Sequence, residues 1–269
     1  MRSRVLVSVI GVPIILVVIL WAPVWVLAVA LALLSAIAAF ELMRCVGVVK
    51  SAGQSCVLSN TAILGALFAV FVQYQYDDLY AALIVAYTLL IFAYAVYRAG
   101  EIKFQQIMAA LFAMYALPYA FASFLRLHEM GVHRAYLLLP LLFSFCSDTA
   151  AFFTGRALGK HKLAPKVSPH KTVEGAIGGL LGDALGAVVF ALIMNLGFGE
   201  GLDYPGIIVL GIACSVIAQL GDLSFSLIKR EFGIKDYGRI FLEHGGVLDR
   251  FDSVIFVAPV LAALLPSLL

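Results

Sequence analysis

Long apolar stretches alternate with short polar segments along almost the whole chain. An apolar helix of about 20 residues can cross a hydrocarbon core about 30 Å thick. The pattern therefore predicts an all-α, polytopic transmembrane helical bundle with nine spans, at residues 5–21, 24–40, 57–74, 79–97, 106–125, 135–153, 175–196, 206–228 and 254–268. Pro23 leaves almost no loop between the first two spans.

The composition agrees with a membrane protein. Of 269 residues, 63% are hydrophobic and 13% are charged, and the mean hydropathy is +1.04. Average soluble domains have roughly 25% charged residues, so the composition argues against a soluble fold. Arg2 and Arg4 precede the first apolar run as in a secretory signal, but that run is long and lacks a small-residue cleavage site, so we expect a retained anchor.

The basic residues fall on one predicted side of the membrane. With a cytoplasmic N-terminus, every Lys and Arg except Arg126 and Arg134 is cytoplasmic, which is the orientation that basic residues normally mark. Such a face attracts anionic headgroups or phosphorylated ligands. We expect no nucleic-acid partner, because the basic residues lie in short loops. The four cysteines have no CxxC spacing, so neither a zinc site nor a disulfide framework is expected.

The unusual polar residues concentrate in the second half of the chain. We interpret residues 1–140 as scaffold helices and residues 141–269 as the catalytic region. Asp148, Asp183 and Asp222 interrupt apolar spans in the second region. A carboxylate there is costly unless it is paired, hydrated or bound to a cation, so a functional role is the first hypothesis. A protonated or Arg-paired packing residue is the alternative, and for Asp183 the two are equally open.

Two polar segments adjoin these acids. In residues 155–179, the glycines and a helix start, together with Ser168, Lys171 and Thr172, are suited to cradling phosphate oxygens. A plain basic inner loop is the alternative, because the Walker A spacing is absent. The glycines of this segment also fit close helix packing.

The second segment, residues 221–253, contains Asp249 and Asp252. Three residues apart, they share one helix face if the last helix begins near Val247. Carboxylates with no cysteine nearby suit Mg²⁺, which shares its oxygen ligands with substrate phosphates. Further phosphate charge would be neutralised by the basic residues of the segment, which are Lys229, Arg230, Lys235, Arg239 and Arg250.

Three polar residues of this segment have two interpretations each. His244 is either a general acid, base or phosphate donor, or a loop histidine packed on the neighbouring glycines. Lys235 and Asp236 contribute to the site or form an exposed ion pair.

The stretch "SLIKREFGIKDYGRIFLEHGGVLDRFD", residues 226–252, resembles the signature of the phosphatidate cytidylyltransferases. The stretch "SDTAAFFTGRALGKHKLAPKVSPHKTVEGAIGG", residues 147–179, is also similar to that family. Three positions differ from the family pattern: Leu242-Glu243 replaces a usual Pro-Gly, and His170 replaces a common lysine.

The resemblance implies an enzyme that condenses CTP with phosphatidic acid to CDP-diacylglycerol and pyrophosphate, with a divalent cation. It implies metal and catalytic roles for Asp222, Asp249 and Asp252. It implies catalytic or substrate-binding roles for a second set, which comprises Lys229, Arg230, His244, Asp148, Ser168, Lys171, Thr172, Glu174, Lys235, Asp236, Arg239 and Arg250. The loop from Ser168 to Glu174 would close over the site.

Other functions stay open from the residues alone. A cytidylyltransferase or CTP-dependent kinase for another lipid has the same needs, and a cation- or proton-coupled transporter also uses intramembrane acids. We favour the enzyme, because the polar residues are confined to the predicted cytoplasmic half of the last four spans. The expected location is a bacterial inner membrane with the site facing the cytoplasm, and a homodimer is compatible with the sequence.

Overall fold

The computed structural model describes residues 11, 13–48, 56–238, 240 and 245–268. Arg2, Arg4, Arg239, Leu242, Glu243 and His244 lie outside these residues. The described chain is mainly helical, with helices α1 (Val24–Cys45), α2 (Cys56–Gln75), α3 (Asp77–Tyr97), α4 (Phe104–Glu129), α5 (Leu139–Leu158), α6 (Val173–Ile193), α7 (Tyr204–Glu231) and α8 (Leu248–Leu264). Strands β1 (Lys162–Ala164) and β2 (Ser168–Thr172) lie between α5 and α6.

The chain divides into two compact units. The first contains residues 1–129 and 231–250, and the second contains residues 130–230 and 251–269. The boundary is set by packing, whereas the predicted division at residue 140 follows the distribution of polar chemistry and stays a prediction.

In the first unit, α1 packs against α2 and α4, and α2 packs against α4. Small side chains make these helix contacts close: Ala38, Ala66 and Ala110 are each fully buried. By contrast, α3 leaves large apolar side chains such as Leu89 and Leu90 exposed, each at 68%. An outer helix with this surface suits contact with lipid.

In the second unit, α5 and α6 approach each other along glycines of α6. A Cβ atom on Gly175 would lie 2.8 Å from the Ala151 carbonyl oxygen. The helix-packing interpretation of the 155–179 glycines is therefore confirmed for this position. A similar approach joins α7 to the start of α8, since a Cβ atom on Gly221 would lie 2.8 Å from the Asp252 carbonyl oxygen.

The predicted fold class is confirmed. Six of the described helices are long and apolar enough to cross a membrane. The predicted spans from residue 24 onward each overlap one of α1 to α8. The total of nine spans and the cytoplasmic N-terminus stay predictions. One local detail differs from the prediction, because residues 162–172 form an antiparallel hairpin rather than a plain loop. Another agrees closely, because α8 begins at Leu248, one residue after the predicted Val247.

Gly175→Ala tests the close packing of α5 and α6. The added methyl group would overlap the Ala151 carbonyl oxygen, and overpacking of this kind typically costs about 1–3 kcal/mol. SDS titration of the protein in mixed micelles should show a loss of this size. Gly197→Ala is the matched control, because a Cβ atom there meets nothing within 4 Å. Equal stability of the two variants would contradict the packing.

Candidate functional site

The second unit contains an ion pair between the hairpin and α7. The Lys171 ammonium of β2 contacts the Asp222 carboxylate of α7. One turn further along α7, the Ser226 hydroxyl donates to Asp222 Oδ1 over 3.5 Å. Asp222 was predicted from its cost inside an apolar span, and this contact with an ammonium supplies the compensation that the cost requires.

Further charges surround Lys171. Burial lowers the pKa of its ammonium, and Lys229 acts in the same direction, whereas the carboxylates of Asp148 and Asp252 raise it. Lys229 and Asp252 are each only 8% exposed. The unit therefore gathers two lysines and three carboxylates from α5, β2, α7 and α8, and we call Asp148, Lys171, Asp222, Lys229 and Asp252 the charge cluster.

The hairpin is attached to the helices around it. Arg230 Nε, on α7, donates to the Val167 carbonyl oxygen over 3.2 Å. The Thr172 hydroxyl accepts from Gly175 N over 3.1 Å and so caps the N-terminus of α6. These bonds fix the position from which Lys171 reaches Asp222.

Glu174 has a defined local contact set. Its carboxylate accepts from the backbone amides of Lys160 and His161 over 3.0 and 3.2 Å, and its Oε1 lies 2.6 Å from His161 Nδ1. Glu174 therefore fastens the segment that leads into β1. This is a structural role, and the role of Glu174 in substrate binding stays a prediction.

A separate polar layer crosses the same unit deeper in the helices. The hydroxyl oxygens of Ser147 and Ser215 are 2.8 Å apart, and Gln219 Nε2 donates to the Ala176 carbonyl oxygen over 3.1 Å. Asp183 is fully buried on α6, whereas Asp222 is partly exposed. Asp183 and Asp222 thus have different surroundings, and the sequence had already left the role of Asp183 more open than that of Asp222.

In the first unit, Asp249 lies in the first turn of α8 and organises the loop before it. Its Oδ2 accepts from Tyr237 N over 2.7 Å and from Gly246 N over 2.9 Å. Gly245 adopts a φ of 84°, a left-handed conformation that glycine accommodates readily. The Gly-Gly sequence beside Asp249 therefore reflects backbone geometry as well as any role in catalysis.

Glu41 is a residue that the sequence interpretation assigned to scaffold. It lies in the last part of α1, is 1% exposed, and accepts hydrogen bonds from Val247 N and Leu248 N over 3.0 and 2.9 Å. Arg44, one turn later, donates to the Tyr237 carbonyl oxygen over 2.7 Å. The sequence signal that could have indicated this role is the pair Glu41 and Arg44, an acid and a base three residues apart within "AFELMRC" at the polar end of an apolar run.

Most of the other predicted residues lie at the surface. Lys235, Asp236, Arg230 and Arg250 are exposed, and Ser168 is half-buried. Arg239 and His244 lie outside the described residues. Among the residues that the structure describes, no group of three or more His, Cys, Asp or Glu side chains forms a ready metal cage. The predicted metal site therefore stays a prediction.

Comparison with known proteins gives the same family as the sequence resemblance. A family model described as "Cytidylyltransferase family" matches residues 2–268. The chain belongs to the cytidylyltransferase family. A relative from Staphylococcus saprophyticus subsp. saprophyticus, named phosphatidate cytidylyltransferase, is 36% identical over 217 residues, covering 77% of this chain and 80% of the relative.

Two further relatives carry the same name. The protein from Staphylococcus haemolyticus is 36% identical over 182 residues, and the one from Staphylococcus aureus (strain COL) is 37% identical over 187 residues. Each alignment covers 68% of this chain and 68% of the relative. As a member of the cytidylyltransferase family, this chain is a membrane-embedded nucleotidyltransferase that uses CTP.

Glu174→Ala tests the attachment of the hairpin. The variant frees the amides of Lys160 and His161, so the segment should open more often and trypsin should cut after Lys160 or Lys162 several-fold faster. Limited proteolysis followed by mass spectrometry measures this rate. Glu101→Ala, which removes an acid paired with Arg98 in the first unit, is the control. Unchanged cleavage in Glu174→Ala would show that the carboxylate does not hold the segment.

Proposed function

We propose that this cytidylyltransferase transfers the cytidylyl group of CTP to phosphatidic acid, releasing pyrophosphate and forming CDP-diacylglycerol. The observation that carries the proposal is the charge cluster, in which Lys171 and Lys229 stand among three carboxylates. The names of the Staphylococcus relatives give the same reaction class. The transfer joins two polyanions, and such a cluster offers both the cations and the oxygen ligands that this task needs.

The reaction requires little covalent chemistry from the protein. An oxygen of the lipid phosphate attacks the α-phosphorus of CTP, a new P–O bond forms, and the bond to the β-phosphate oxygen breaks with pyrophosphate leaving. A phosphomonoester has a second pKa of about 6, so phosphatidic acid is mostly deprotonated near neutral pH. No strong general base is needed, and the main tasks are alignment and charge neutralisation.

Lys171 and Lys229 are suited to these tasks. Lys171 extends from β2 of the hairpin to Asp222 of α7, and Lys229 is buried on the same helix as Asp222. We assign both ammonium groups to phosphate oxygens of CTP or of the lipid, with the exposed guanidinium of Arg230 beside them. Because Arg230 also binds the Val167 carbonyl oxygen, movement of the hairpin and binding of phosphate are linked through one side chain.

The donor chemistry of the cluster fits a hard divalent cation. Asp222 and Asp252 provide carboxylate oxygens, and Asp222 already contacts the cationic ammonium of Lys171. We propose Asp222 and Asp252 as ligands of Mg²⁺. A metal role for Asp249, which lies in the first unit, rests on the family signature alone. A bound Mg²⁺ would polarise phosphoryl oxygens and neutralise the leaving pyrophosphate.

The lipid substrate and the membrane setting support each other. A phosphate headgroup can enter from the bilayer while its acyl chains stay in lipid, and CTP enters from water. We place the enzyme in a bacterial membrane, with the cluster facing the cytoplasm where the predicted basic loops lie. CTP and the anionic lipid are the proposed partners, and no nucleic acid is required.

Asp222→Asn should reduce cytidylyl transfer by about 100-fold or more, because it removes the charge that pairs with Lys171 while keeping the side chain's size. The assay follows α-labelled CTP into extractable lipid, using purified protein in micelles with phosphatidic acid. Asp203→Asn is the matched control at the other end of α7, where an amide can still accept from Gly206 N.

Two results would contradict the assignment. Near-normal turnover of folded Asp222→Asn would remove Asp222 from the site. Lipid labelled by γ-labelled but not α-labelled CTP, with diacylglycerol as acceptor, would identify a kinase instead of a cytidylyltransferase.

Removal of divalent cations should abolish the same activity. We expect EDTA to stop incorporation, Mg²⁺ to restore it, and Asp252→Asn to require a higher Mg²⁺ concentration, because a carboxylate ligand contributes to metal affinity. Titration of initial rate against free Mg²⁺ measures the half-saturating concentration. Full activity in EDTA would exclude the proposed cation.

A further inference from the structure

We propose that Glu41, together with Arg44, is a positioning residue that fixes Asp249 by holding the described backbone of the signature loop, at Tyr237 on one side and at Val247 and Leu248 on the other. The inference rests on the proposed function in one respect: it takes Asp249 as part of the catalytic machinery. Glu41 itself acts through backbone contacts and is assigned no contact with substrate.

The first step concerns the start of α8. The first amides of a helix have no partner within the helix and need acceptors from elsewhere. Glu41 supplies one carboxylate oxygen to Val247 N and the other to Leu248 N, at 3.0 and 2.9 Å. An ionised carboxylate has two acceptor oxygens, and here each oxygen accepts from one amide.

The second step concerns the opposite end of the loop. Arg44 donates to the Tyr237 carbonyl oxygen, while Tyr237 N donates to Asp249 Oδ2. The peptide groups on either side of Tyr237 Cα therefore connect Arg44 to Asp249. Glu41 binds the two residues just before Asp249, and Arg44 binds Tyr237, whose amide donates to Asp249. Helix α1 therefore holds the backbone next to the Asp249 carboxylate at two places.

The third step concerns the glycines of the signature. A Cβ atom on Gly238 would lie 2.8 Å from Glu41 Cδ and 2.9 Å from Gly246 Cα. The carboxylate thus approaches the loop too closely for any side chain at residue 238. Gly238 and Gly246 of the signature therefore pack directly against Glu41, although about 200 residues separate them along the chain.

The consequence is a defined effect on metal-dependent catalysis. Residues that orient a metal ligand typically change metal affinity or activity by about 10- to 100-fold when they are replaced. Glu41→Gln keeps the volume but offers only one acceptor oxygen to two amides. We therefore expect the half-saturating Mg²⁺ concentration to rise about tenfold or more, with a smaller change in kcat at saturating Mg²⁺.

The test combines this titration with hydrogen-deuterium exchange, which does not depend on activity. In Glu41→Gln, peptides covering residues 245–249 should exchange at least several-fold faster than in the unmodified protein, while peptides from α5 and α6 should not change. Glu101→Gln is the matched control, with the same chemical change in the same unit. If Glu41→Gln does not fold, the Mg²⁺ titration and the hydrogen-deuterium exchange are measured on Arg44→Lys instead, with peptides that cover residues 237–249.

The outcomes separate the two proposals. Unchanged exchange, or faster exchange with an unchanged Mg²⁺ requirement, would overturn the positioning role. Faster local exchange with a raised Mg²⁺ requirement would support it. If the unmodified protein makes no CDP-diacylglycerol, the proposed function fails, while the exchange data still decide whether Glu41 holds the loop.

Discussion

The structure depends on the compensation of charge inside an apolar helical protein. An isolated carboxylate costs several kcal/mol in such surroundings unless donors or cations meet it. Two carboxylates show two solutions. Asp222 meets the Lys171 ammonium, whereas Glu41 meets two backbone amides at the start of a helix. In both cases a polar group from one part of the chain must be held at a fixed distance from another, so local charge determines long-range packing.

This requirement explains several features that hold the charged groups in place. Lys171 reaches α7 because Arg230 holds the hairpin turn and Thr172 caps the helix that follows. Close glycine contacts bring α5 against α6, the two helices that the short hairpin connects along the chain. A basic loop without these attachments would sample many positions, and ordering it on each binding event would cost conformational entropy.

The sequence was sufficient for the fold class, because apolar runs are a local signal, whereas its assignment of site residues stays a prediction. Apolar runs identified the helices from residue 24 onward, and the cost of Asp222 within such a run indicated a charged partner. The hairpin was missed, because three to five residues of mixed polarity carry little strand signal. Glu41 was missed for a different reason: its partners are backbone amides about 200 residues away, and an amide leaves no trace in the identity of its residue.

The predicted division of the chain at residue 140, with scaffold helices before it and a catalytic region after it, stays a prediction. The residues proposed to contact CTP and lipid lie after residue 140. However, the backbone that presents Asp249 hydrogen-bonds to Glu41 and Arg44 of α1. A catalytic carboxylate is only as well placed as the peptide groups around it, and small displacements have large effects on alignment. On the proposed role of Glu41, residues of the first half would influence activity without contacting any reactant.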